Sequence, residues 1–544
     1  MPDIRLSLWS ISAIILCFTL LSHGLILAND GTYWDGWMLR GWQQQKDFTS
    51  MRTFYSHVGM PFFYYFHRFF ASLPQPNFYY KVLSFISLYL SFFLVYLICQ
   101  KSGFLTSMES LYITVLMICY PGQQMVVEPC VIAQYIFPLP FFFLACLLGL
   151  YAEVAATDAQ WLMRTIVMFL FLISFNMNSL LVYYFGFLLL LLMCHIRTFG
   201  FSLSGTSQYI ISHSYYLAFP FIFWLLKEKF TPRKDFYANY NRIHVNLFKI
   251  YSGVIQLFRT GAGGVWIQAL QIFIKKPRRL AFVLSFGLML AVLSNRFILL
   301  EPMPLIKSGT LLFFGFILLI FGSISYILVG QPFGNHGWAT KNNALLALPL
   351  ALIIFGGFNL FLKPIFITFF LFIIITTSVI YLNYVHLCLI ALWVKNKSLL
   401  FNLGKIPSEQ RFSIFSVCDQ HPFQGASEGH PEHDIAYLVY MFEFLWKDVT
   451  RIGIYESIPR SVAYTPQEIK QMIHKSTIDY ALQHIDPYGK QAQLIIKQGK
   501  LDLNEVKTAV RYIIIRCFYK NRNDHFLSGT TQIELIPLHA HVSR

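Results

Sequence analysis

Carboxylates are scarce where this chain could do chemistry. The first 394 positions hold only Asp3, Asp30, Asp35, Asp47, Glu109, Glu128, Glu153, Asp158, Glu228, Asp235 and Glu301. An acid beside hydrocarbon is costly, so each one kept near an apolar run is a candidate functional group. Asp30 and Asp35 stand together in NDGTYWDGWM, directly after the first apolar run. A carboxylate at a membrane boundary can take the proton of an acceptor hydroxyl, and nearby rings raise its pKa toward that task. Tyr33, Trp34 and Trp37 could hold a sugar or the first isoprene units, with His57 in the His-x-Gly-x-Pro exit of the same loop. The plainer reading is an interfacial aromatic belt with Asp as a turn or cap residue. Five positions turn a helix by about 140°, so the two acids would not share a face. Asp35 is therefore assigned as the base and Asp30 as a helix cap. Glu128, in YPGQQMVVEPC, is a second carboxylate in a proline-broken turn that would face the first loop.

Cations that could hold a phosphate come in two groups. Arg233, Lys234, Tyr240 and Arg242 lie in FTPRKDFYANYNRI, and His336 and Lys341 lie in FGNHGWATKNN. Lys and Arg with Asn and Tyr donors suit a phosphate or pyrophosphate, although such residues also snorkel to lipid headgroups. Asp419, His421, His430, His433 and Asp434 are zinc-ligand types, but their spacing matches no zinc motif, and no metal site is assigned. Gly425-x-Ser427-x-Gly429 lacks the strand and helix of a nucleophile elbow. No P-loop, no H-E-x-x-H and no dinucleotide fingerprint occurs.

The elements that must position these groups are mostly apolar helices. The 544 residues are 56% hydrophobic and 12% charged, against about 25% charged in soluble chains. Continuous apolar runs of roughly 20 residues are membrane helices, not barrel strands. The runs predict about eleven spans (10–12): 7–28, 78–99, 108–127, 131–152, 162–178, 179–196, 209–226, 280–297, 310–329, 344–362 and 365–394. Residues 60–74 suit an interfacial segment, and so does 249–273, because a lone Arg259 mid-span is expensive. The KKPRR cluster at 275–279 argues for the other side and a twelfth span. The net charge of +16 sits in short loops and the tail. No basic-aromatic module suggests nucleic acid. The nine Cys are scattered, with no C-x-x-C, and read as small core residues.

Residues 1–395 thus form a transmembrane domain, with a first loop at 29–77 and a second large loop at 227–279. The tail, 396–544, reads as a small soluble α/β domain. Its strands are expected at 412–418, 451–455 and 492–497, and its helices at 465–484 and 503–518. Thr465-Pro466-Gln467-Glu468 is a capping box with proline at the first helical position.

The order of features resembles the GT-C superfamily of integral-membrane glycosyltransferases. It has a first span, an extracytoplasmic loop opening on Asp30 and Asp35, Gly59 and Pro61 before an interfacial segment, and a third span closing on Pro121 and Glu128. Segments 231–245 and 336–350 look similar to uncharacterised bacterial membrane proteins of this type. The pair here is Asp-x4-Asp, where adjacent acids are common in the superfamily, and Lys341 stands where those proteins would carry Arg. The resemblance implies a GT-C-like all-α membrane fold and an inverting glycosyltransferase. Its donor would be a polyprenyl-phosphate or polyprenyl-diphosphate sugar, with one Asp of the first loop as base. It also implies a cell-envelope glycan or lipid acceptor and a multi-pass location in a bacterial inner membrane. Some members need a divalent metal and others none; no cofactor is assigned. The alternatives are a polysaccharide (O-antigen) polymerase or ligase, and a polytopic transporter or flippase.

Overall fold

The computed structural model describes residues 7–239, 242–243, 246–274, 285, 303–407, 412–421, 435–447, 450–456, 459–460, 462–475, 485–501 and 504–538. Tyr240, residues 280–297 and the 422–434 loop, with Gly425, Ser427, Gly429, His430, His433 and Asp434, lie outside them.

Among the described residues five helices are long and apolar enough to cross a membrane: Pro76–Lys101, Pro129–Ala152, Ser179–Phe199, Leu305–Leu328 and Pro364–Leu403. Two bent pairs, Leu203–Ser212 with Ser214–Phe230 (43°) and Gly337–Asn343 with Ala347–Phe361 (70°), raise the number to seven. Of the eleven expected spans, 280–297 lies outside the described residues, 162–178 corresponds to Thr157–Ser174, which is not among these apolar helices, and the first and third are cut short by breaks that apolar composition does not show. The first run divides at Gly24 into Leu8–His23 and Leu25–Ala28. The third stops at Ile118, since the Pro121-Gly122 turn that follows cannot continue a helix. Residues 61–71 form the short helix Pro61–Ala71. Leu247–Gln256 and Gly264–Ile274 are joined by a π-helical turn, Leu257–Ala262, that leaves Arg259 exposed.

Prolines start several of these helices. Pro76, Pro129 and Pro364 each stand in the first turn, where a missing N–H costs nothing. The last helix, Pro364–Leu403, is 40 residues long and carries the chain from the bundle into the tail.

The tail is built on a four-stranded sheet. β1 (Ile414–Asp419), β2 (Ile452–Tyr455), β3 (Gln491–Gln498) and β4 (Thr531–Pro537) lie in the order β2-β1-β3-β4. β1 runs parallel to β2 and β3, and β4 runs antiparallel to β3. The buried cores of β1 and β3 explain why short apolar runs marked them in the sequence. β4 alternates half-buried and exposed residues after Thr531 and gives no such run. The expected capping box forms: Thr465 N–H donates to Glu468 Oε2 (2.6 Å) and Glu468 N–H to Thr465 Oγ1 (3.2 Å).

The tail docks on the first loop. Helix Ile435–Trp446 packs on Gly36–Gln45, where Phe444 meets Trp37 edge-on at 5.6 Å and Gln45 donates to Glu443 at 3.1 Å. Helix Glu505–Phe518 reaches Asp30 through Tyr512 and Arg516. Loop and tail therefore share one end of the bundle. In intact cells, a cysteine at Lys46 and one at Tyr488, both exposed, should react with a membrane-impermeant maleimide from the same side. Labelling from opposite sides would contradict this packing.

Candidate functional site

The start of helix Pro76–Lys101 fastens two loops together. Lys81 is fully buried; its ammonium donates to the Gly31 carbonyl (3.2 Å) and to the Val127 carbonyl. One turn before, Asn77 donates to Thr32 Oγ1 (2.9 Å) and the Asp30 carbonyl (3.3 Å). One turn after, Ser84 donates to the Val126 carbonyl (2.6 Å). This face of one helix thus joins the Asp30–Asp35 loop to the turn that ends in Glu128. Lys81 is not among the candidates that motif and acid spacing single out. Its signal was a lone lysine in the first turns of an apolar run, which needs an internal partner.

Glu128 is fully buried under Gly36. A Cβ at position 36 would stand 3.0 Å from Glu128 Oε1, so glycine is what lets the carboxylate approach the backbone beside Asp35. Oε2 accepts from the Val131 amide (2.7 Å) and caps the helix that follows; Oε1 has no hydrogen-bond partner among the described residues. Burial, then the Asp35 charge, push the Glu128 carboxyl up to about 8, against the pull of the Val131 amide and Lys81. A buried carboxyl of this kind keeps its proton near neutral pH. Asp35 itself is exposed, at the N-cap position of helix Gly36–Gln45.

The third side comes from the 331–343 segment. Lys341 lies over the Trp338 ring (3.6 Å to its centroid), within electrostatic range of Asp35, Glu128 and Cys130. Trp338 meets Trp34 at 5.8 Å. Trp34 has φ +42°, a left-handed conformation costly for a bulky residue and typical of sites held by their surroundings. Next to it, His336 Nε2 and Gln268 Nε2 are 2.7 Å apart. Tyr381 O–H donates to Gln268 Oε1 (3.0 Å), and Gln124 donates to the Asn335 carbonyl (2.8 Å). Asp35, Glu128, His336 and Lys341, widely separated in sequence, thus share one polar end.

Other expected residues take different places. Asp30 is not a helix cap: residues 29–33 are non-helical, so the 140° reasoning does not apply to them. Asp30 instead accepts from Tyr512 O–H (3.2 and 3.0 Å) and pairs with Arg516 at 3.1 Å. Tyr33 O–H donates to the Leu389 carbonyl (2.7 Å), and Trp37 packs on Trp393 at 5.6 Å, so both are buried wall residues. His57 pairs with Asp235 at 3.1 Å, and its carbonyl accepts from the Lys234 amide (3.0 Å). Arg233 lies against Gly59, whose φ of +76° only glycine adopts easily. Arg233 and Lys234 thus gather at Gly59 and His57, while Arg242 is exposed. In the tail, Asp419 forms a buried ion pair with Lys395, and His421 faces the Thr530 carbonyl (3.2 Å). Among the described residues no group of three or more His, Cys, Asp or Glu could hold a metal ion.

Acids at the far end are occupied structurally. Glu109 pairs with Lys307 at 2.5 Å, and Glu153 with Arg164 (3.4 Å) and His213 (3.1 Å). No protein-family model, no curated protein and no solved structure matches this chain.

Two outcomes follow for stability. Lys81→Met leaves two buried carbonyls without their donor and should cost roughly 2–5 kcal/mol in thermal unfolding in detergent. Below about pH 4.5, Glu128 is protonated folded or unfolded; between about 4.5 and 8 only the folded chain keeps the proton. The folded state then binds more protons, so stability falls as pH rises through this window and levels off above it. Glu128→Gln should flatten that slope, and an unchanged slope would assign it to another group.

Proposed function

We propose that the chain is an inverting membrane glycosyltransferase with a GT-C-like fold. Its donor is a polyprenyl-phosphate or polyprenyl-diphosphate sugar, and its acceptor is a cell-surface glycan or lipid on the extracytoplasmic face of a bacterial inner membrane. The observation that carries the reading is the exposed Asp35 beside buried Glu128 and half-buried Lys341, at one end of an apolar helical bundle. A lipid-linked sugar needs such a place, with a polar reaction centre at the edge of hydrocarbon.

In this reading Asp35 takes the proton from the acceptor hydroxyl as its oxygen attacks the anomeric carbon. The bond from that carbon to the phosphate oxygen breaks with inversion, and the polyprenyl phosphate leaves with the bonding electrons. Lys341 stabilises the charge growing on the leaving phosphate. Glu128, protonated near neutral pH, keeps a second negative charge away from Asp35 and the phosphate. Trp34 and Trp338 form an aromatic wall for the sugar. Arg233, Lys234 and His57 border the loop where a longer acceptor or a diphosphate would extend.

Membranes containing the chain should transfer radiolabelled sugar from a polyprenyl-phosphate donor. Asp35→Asn should lower that transfer by about 10²–10⁴-fold, with little change in unfolding temperature because the side chain is exposed. Lys341→Met should slow the same step, whereas Asp30→Asn should act through tail docking. Undiminished transfer by Asp35→Asn would remove it as the base.

A further inference from the structure

A second feature lies at the end of the bundle away from Asp35. Helices Pro76–Lys101, Pro138–Ala152, Ser179–Phe199, Leu305–Leu328 and Ala347–Phe361 leave a cavity between them. Val95, Phe142, Cys146, Phe187, Leu311 and Leu318 are among its walls, which are almost entirely carbon. Lys81 and Glu128 mark the polar end of their helices; the cavity begins some fourteen residues further along the first of these, at Val95, and runs to Ser102. Helix interiors are close-packed, and a dry apolar void takes hydrocarbon rather than water.

Depth and charge point to one kind of occupant. On Ser179–Phe199 the lining runs from Tyr183 to Met193, about 15 Å at the helical rise. That equals one leaflet of a hydrocarbon core roughly 30 Å thick. Cations cluster where the cavity ends, near Ser102, Phe104 and Thr310. Arg197 Nη1 donates to the Ser102 carbonyl (3.1 Å). Its guanidinium lies so close to Gly103 that a Cβ there would meet Nη1 at 2.4 Å. Lys101 extends over the Tyr151 ring at 4.2 Å. Lys307 stands one turn before Thr310 and is balanced by Glu109 at 2.5 Å. Lys101 and Arg197 therefore leave an excess of positive charge above an apolar slot one leaflet deep.

We propose that this cavity holds an acyl chain of an anionic phospholipid from the leaflet opposite the first loop, with its phosphate on Lys101 and Arg197. The site is separate from Asp35 and needs no assumption about the reaction. It gives the bundle a bound lipid that fills the gap between five helices.

The test uses the full chain in nanodiscs, with phosphatidylglycerol or phosphatidylcholine carrying the same diazirine-labelled acyl chain. Photolabelling should fall on Val95–Leu105 and Tyr183–Met193, roughly tenfold more with phosphatidylglycerol, as expected for two cations near one headgroup. Lys101→Gln with Arg197→Gln should abolish that preference without unfolding the chain. Cys146→Phe should reduce cavity labelling by both lipids; if it fails to fold, the charge variant decides alone. Labelling confined to outward residues such as Phe313 and Phe316 would overturn the proposal, as would equal labelling by both lipids or a preference that survives the charge variant.

Discussion

One buried ammonium holds the polar end of this protein together. Lys81 donates to carbonyls from both loops, Gly31 and Val127, and the charge of Asp30 helps offset its burial. Without it, two loops that carry carboxylates would meet as backbone against backbone, with carbonyls facing a dry interior. Such groups must be satisfied or the structure opens. Asn77 and Ser84 extend the same seam by one turn each way. The position of Asp35 over Glu128 follows from that seam and from the absence of a side chain at Gly36.

The tail is tied to the same assembly. Asp30 is gripped by Tyr512 and Arg516, and Arg516 also donates to the Ala28 carbonyl at 3.0 Å. Arg40 lies over the Phe444 ring at 4.7 Å and donates to Thr32 Oγ1 at 2.8 Å. The Asp30 and Phe444 contacts cross between the first loop and the tail, while Tyr33 and Trp37 reach Leu389 and Trp393 of helix Pro364–Leu403. The first loop is therefore clamped from two sides, by the start of one membrane-length helix and by the tail. A clamped loop can hold Trp34 in a strained conformation that a free loop would relax. Glu443, buried at this junction, is pushed up to about 7 by burial and by Asp47, so the junction carries a group that titrates near neutral pH.

The sequence made some of this legible for clear physical reasons. In a chain with so few acids, counting them singled out Asp35 and Glu128, which the fold brings together around Gly36, because a carboxylate near hydrocarbon needs a partner or a role. Apolar runs located β1, β2 and β3 because those strands are buried over most of their length. Helix breaks at Gly24 and after Ile118 escaped, because hydropathy reports composition and not hydrogen bonding. The role of Asp30 escaped for another reason: Tyr512 and Arg516 lie more than 480 positions away. Lys81 was visible as a lone cation, yet its partners are backbone carbonyls, which no side-chain pattern reveals.

In the proposed reaction the phosphate of a lipid-linked donor rests on Lys341, with the sugar between it and Asp35. A photoactivatable polyprenyl phosphate, crosslinked to the purified chain and mapped by peptide sequencing, tests it most directly. Saturable label is expected on Trp34–Trp42 and Gly334–Lys341, displaced by unlabelled polyprenyl phosphate. Saturable label that avoids both segments would contradict it.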